Sequence, residues 1–148
     1  MSRKWIIPEC LQSKVTDEDV FRDWLTRKAR SIRRRDNKRD LKVLSQSGTK
    51  QAIIDAIEQS AGRDYFTGEA LDWASISRWN NEDAKRGGAK YRKAFWNLPT
   101  VDHDQDKAGK PVFRLCSWRM NDSKNDQSIA EFLQLAARVQ KHRGGRHS

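Results

Sequence analysis

Only one histidine of this chain stands outside its basic C-terminal stretch, and it directly follows an acid, in Asp102-His103. A neutral imidazole, with an ordinary pKa of about 6.5, is suited to taking a proton from water. Downstream comes Asn121-Asp122-Ser123-Lys124. A carboxylate and an amide supply the oxygen donors that a hard divalent cation such as Mg²⁺ prefers. Phosphodiester hydrolysis needs a water deprotonated, a phosphate neutralised and a leaving oxygen stabilised, and these residue types suit those tasks. The competing reading is structural: His103 hydrogen-bonded to Asp104 in an ordinary turn, and Asn121 as a helix cap.

The flanking pattern predicts the elements that would position these groups. Leu98 to His103 reads as a strand, Asp104 to Lys110 as a polar loop, and Val112 to Trp118 as a second strand. Ser128-x-x-Glu131 is a capping box. It opens a helix predicted to turn Phe132, Leu133, Leu135, Ala136 and Val139 inward. Adjacent residues of a regular strand point to opposite faces. For Asp102 and His103 to serve one site, the backbone at His103 is therefore expected to be irregular.

The order strand, Asp-His, loop, strand, Asn-x-x-Lys, helix resembles the HNH endonuclease family, whose core is the ββα-metal motif. Val101-Asp102-His103 and Asn121-Asp122-Ser123-Lys124 carry the resemblance, and Tyr65-Phe66-Thr67-Gly68, which reads as a short strand or a turn, is similar to the family's opening strand. It covers roughly residues 64 to 140. It implies Asp102 and Asn121 as metal ligands, His103 as general base and Lys124 in a supporting role near phosphate. It implies a divalent metal, Mg²⁺ or Mn²⁺. Val112 occupies the place of the family's middle asparagine. The Cys-x-x-Cys pairs that hold a structural zinc in many members are missing, with Arg63 to Phe66 and Met120 where thiolates would stand. No structural zinc is expected. Packing by Trp73, Trp79, Trp96 and Trp118 is expected to replace it, with Cys116 in the core.

The rest of the chain points to a polyanion. Its 148 residues hold 30 Lys and Arg against 20 Asp and Glu, a net charge of +10, which suits nucleic acid. Apolar residues are scarce at 36%, but six Trp and five Phe still allow a small core. Residues up to Lys14 read as an extended arm. Thr16 is predicted to cap a helix with Val20, Phe21, Trp24, Leu25, Ala29 and Ile32 on one face. Ten basic and three acidic residues lie between Arg22 and Lys42. Arg30, Arg33, Arg34, Arg35, Lys38 and Arg39 are candidates to grip a phosphate backbone. Ser47-Gly48-Thr49 is read as a break, with Thr49 capping a second helix. Asn80 or Asn81 is read as opening a third, bent at Gly87-Gly88 and running to about Trp96.

These features predict an α+β protein: a helical basic region over 1–62, an HNH-like core over 63–142 and a flexible basic tail over 143–148. The expected function is metal-dependent cleavage of DNA. The alternatives are a catalytically inactive protein of the same fold that binds DNA or RNA, and a basic inhibitor of another nucleic-acid enzyme. No apolar run is long enough to span a membrane. The short apolar opening is not read as a secretory signal. Two cysteines, Cys10 and Cys116, suit a reducing cytoplasm.

Overall fold

The computed structural model describes residues 5–39, 43–78, 81–105 and 108–144. Apolar residues at helical spacing form α1 (Glu18–Lys38), which buries Phe21, Trp24, Leu25, Ala29 and Ile32. Asp17 caps it, one residue after the expected Thr16. The Asp17 carboxylate accepts from the backbone N–H groups of Asp19 at 2.9 Å and Val20 at 3.2 Å. One side chain thus satisfies two donors that the first turn leaves unpaired. Ahead of α1 the chain is not an extended arm. A 3-10 turn over Glu9–Leu11 folds Leu11 into the core, with Ile7 beside it.

The second helix, α2 (Gln46–Gln59), also starts earlier than its sequence suggests. Ser45 caps it by accepting from the Gly48 N–H at 2.9 Å. Ser47-Gly48-Thr49 therefore forms the first turn and not a break. Buried Thr49 donates its hydroxyl to the Ser45 carbonyl at 2.8 Å. The next helix, α3 (Asn81–Ala94), is kinked at Gly88, where φ is +58°. It ends short of Trp96. Trp79 and Asn80 lie outside the described residues.

Two antiparallel strands follow, β1 (Pro99–Gln105) and β2 (Pro111–Ser117). Asp102 faces Arg114 and His103 faces Phe113 in unbroken register. The backbone at His103 is thus regular, contrary to the expected irregularity, and β1 runs two residues beyond it. Helix α4 (Trp118–Lys124) continues directly from β2, with Ser117 accepting from the Met120 N–H at 3.0 Å. Ser117 is the cap, so Asn121 lies inside α4.

Of the strand or turn that its sequence allows, the Tyr65–Gly68 segment is the turn. Buried Asp64 organises it: one carboxylate oxygen accepts from the N–H groups of Phe66 at 2.8 Å and Thr67 at 3.0 Å. The other accepts from the Ser117 N–H at 2.9 Å, clipping the turn to the β2–α4 junction. Here, where the resemblance would place thiolates, a carboxylate joins the two segments.

The last helix, α5 (Ile129–Arg143), opens on the Ser128/Glu131 capping box as its sequence predicts. Its apolar side is not inside. Leu133 is 58% exposed and Val139 55%, Leu135 is also exposed, and no residue of α5 is buried. The core closes without it: α1, α2 and the β hairpin pack together, with Val101, Phe113 and Leu115 buried in one continuous cluster. Trp73 lies edge-on to Trp24 at 5.1 Å and donates its indole N–H to the Gly62 carbonyl at 2.9 Å. Of the four tryptophans expected to pack in place of zinc, Trp73 is buried, Trp118 half-buried and Trp96 exposed. Cys116 is fully buried, and burial pushes its thiol far up from the ordinary value. The chain is α+β. Among the described residues no helix is long and apolar enough to cross a membrane.

Candidate active site at His103

His103 lies on the face of β1 that carries Val101, and its ring packs against Phe113 with centroids 4.7 Å apart. Its Nδ1 lies 2.9 Å from an Asp36 carboxylate oxygen on α1, and both side chains are almost fully buried. Asp36 is one of the few acids inside the basic run. A carboxylate can only accept, so the hydrogen sits on Nδ1 and the lone pair of the neutral ring on Nε2. Among the described residues Nε2 has no hydrogen-bond partner. Burial lowers the His103 pKa below its ordinary value, and Arg35 adds to this. The carboxylates of Asp36, Asp102 and Asp104 oppose the shift without reversing it. The imidazole is accordingly neutral at neutral pH.

Asp102 leaves the opposite face of β1 and meets α4. The Lys124 ammonium, itself buried, lies 3.2 Å from one Asp102 oxygen and 3.4 Å from the other. Alternation still brings Asp102 and His103 to one place, because a cavity of about 340 Å³ runs along the edge of β1 that faces away from β2. Val101, Asp102 and His103 form one wall, Asp36 with Arg35 and Arg39 a second, and Asn121 with Asp122 a third. Three elements meet there, and β2 contributes none of the lining. Among the described residues no three His, Cys, Asp or Glu side chains converge as a ready metal cluster.

The donor set fits a hard divalent cation in kind. Asp102 and Asn121 offer one carboxylate and one amide oxygen on facing walls. Mg²⁺ commonly takes one or two protein ligands and completes its shell with water and substrate phosphate. Lys124 shares Asp102, so a cation there would compete with its ammonium.

The basic candidates separate by position. Arg35 and Arg39 stand at the cavity, and Arg39 also pairs with Asp126 at 3.2 Å. Arg30, Arg34 and Lys38 are exposed on α1. Arg33 is spent on the fold: its Nε donates to the Leu44 carbonyl at 3.0 Å and a terminal nitrogen to Gln46 at 3.4 Å. Lys124 points into the protein at Asp102 and not toward open surface. Sequence reasoning passed over Asp36. The available signal was a lone acid set between Arg35 and Lys38, in the densest part of the basic run.

Comparison with protein-family models, with curated proteins and with solved structures finds no match.

Proposed function

We propose that the protein is a metal-dependent endonuclease that hydrolyses DNA by an HNH-type mechanism. The observation that carries the reading is the Asp36–His103 pair beside Asp102 and Asn121 in one polar cavity. Asp36 holds the imidazole in the tautomer with its lone pair on Nε2, which is buried and unpartnered among the described residues, so a water would have to enter against it to give up a proton. A base positioned in this way supplies about 10²–10⁴-fold in rate. Asp102 and Asn121 would hold a divalent cation, which when bound neutralises phosphate charge and stabilises the leaving oxygen. Arg35 and Arg39 offer charge to the phosphates on either side of the scissile bond. Exposed Arg30, Arg34 and Lys38 extend that grip along α1.

One observation favours a second reading, a DNA-binding protein of the same architecture without catalysis: Lys124 already neutralises Asp102. A plasmid assay with Mg²⁺, Mn²⁺ or EDTA separates the two. Cleavage is expected only with metal, and His103→Ala is expected to slow it by about 10²–10⁴-fold. If wild type and variant shift the plasmid equally and neither cuts it, the nuclease reading fails and the binding one stands.

A further inference from the structure

Two further cavities border the one at His103, each sharing residues of α4 with its neighbour. A second cavity of about 330 Å³ shares Arg35, Asn121 and Asp122 with it and adds Lys28, Thr100 and Trp118. A third, of about 580 Å³, shares Trp118 and Asp122 with the second and adds Trp96, Arg92, Lys93 and Arg119. Asp122 is the acid common to all three. Among the described residues it is the single acid facing Lys28 and Arg35 in the second cavity and Arg92, Lys93 and Arg119 in the third, whereas in the first Arg35 and Arg39 stand among four aspartates.

Two of these residues have the chemistry of a base platform. Trp96 is 37% exposed, whereas Trp24 and Trp73 are buried. The Arg119 guanidinium lies 5.0 Å and the Lys93 ammonium 5.7 Å from the centre of the Trp96 ring. The Lys28 ammonium lies 5.5 Å from that of Trp118. Lys28 donates to Thr100 at 3.2 Å and has no carboxylate partner among the described residues. Burial, with Arg27 and Arg35 close by, pulls its amine down to about 8. A phosphate there would offset that crowding. Aromatic rings interleaved with cations along a trough are what an unpaired strand needs: each base offers a face to stack and each phosphate a charge to meet. A duplex keeps its base faces inside and offers only phosphates and groove edges, so it cannot use Trp96. Lys93 sits on a long stem that reaches from the ring to phosphate, whereas Arg119 also pairs with Glu69 at 3.3 Å and would have to exchange that carboxylate for phosphate.

We propose that the row of cavities from His103 to Trp96 holds an unpaired stretch of DNA, with a base stacked on Trp96. This rests on the reading of DNA as the partner and not on cleavage. The test is therefore a binding measurement in EDTA on the full chain. A labelled 20-nucleotide strand, its duplex and its RNA counterpart are titrated by fluorescence anisotropy. A second strand carries 2-aminopurine, whose emission falls on stacking. Trp96→Ala is expected to weaken single-strand binding about tenfold and to abolish the 2-aminopurine quenching. It should change duplex binding less than about twofold, and Trp96→Phe should restore both signals because a phenyl ring still stacks. Equal losses on strand and duplex, or no quenching by the wild type, overturn the proposal. Equal affinity for RNA overturns its assignment to DNA. If Trp96→Ala does not fold, Arg92→Glu on the exposed face of α3 takes its place. Selective loss on the single strand then supports the proposal, and unchanged binding overturns it. A protein that binds strands but cuts no plasmid would sink the nuclease reading and leave this one standing.

Discussion

At the scale of single residues, the 2.9 Å approach of the Asp36 carboxylate to Nδ1 sets the tautomer of the His103 ring, and burial sets its charge. Burial and Arg35 hold the His103 pKa below its ordinary value, and Asp36 is the largest influence in the other direction. On the proposed function the base stays available below pH 6.5, and cleavage is expected to stay level as pH falls through that value and decline only under it. Asp36→Asn removes the upward influence, so the acid limb of the rate profile should move to still lower pH. The rate on its plateau should fall about tenfold to a hundredfold, part of what a positioned base supplies. A limb that stays in place would show that Asp36 only fills space. The same shift has a stability consequence. The unfolded histidine protonates first as pH falls, so its contribution is present above about 6.5 and is lost between that value and the lower folded pKa. Asp64 acts through structure alone. Three backbone N–H groups converge on its carboxylate. Asp64→Ala leaves them without that partner, at an expected cost of about 3 kcal/mol or more, read as a fall in the denaturant midpoint.

At the scale of elements, what was legible followed how local each signal is. The apolar stripe of α1, the β hairpin, the bend at Gly88 and the Ser128/Glu131 capping box all rest on residues a few positions apart, and the structure contains them. Helix starts slipped by one to four residues because Asp17 and Ser45 compete with Thr16 and Thr49 as equally good caps. The exposed stripe of α5 was illegible for a different reason. Periodicity shows that a helix has an apolar face, but not whether any element is left to cover it. The irregular backbone expected at His103 is absent, and the regular strand sends Asp102 and His103 to opposite faces. The remedy was not a bent strand but a cavity along an open edge, which α1 and α4 close from either side. Asp36 could not be matched to His103 from sequence, because their contact depends on the packing of α1 against the hairpin.

At the scale of the whole molecule, the N-terminal helices and the hairpin cannot be treated as separate modules. Phe21, Trp24 and Leu25 from α1, Ile53 and Ile57 from α2, and Val101 and Leu115 from the strands share one core. A fragment of residues 63–148 would expose the inner face of the hairpin and leave Trp73 without Trp24. It is expected to lack cooperative thermal unfolding and dispersed amide resonances, whereas the full chain has both. A fragment that unfolds cooperatively would show that residues 63–148 carry their own core.

The Asp36–His103 contact also bears on the order of synthesis. The ribosome releases the arginine-rich helix early and the hairpin late, so on the proposed function a growing chain would meet nucleic acid well before its imidazole meets the carboxylate that orients it. A prematurely stopped chain would then bind without the assembled base, and cutting would wait for the hairpin to fold back onto α1.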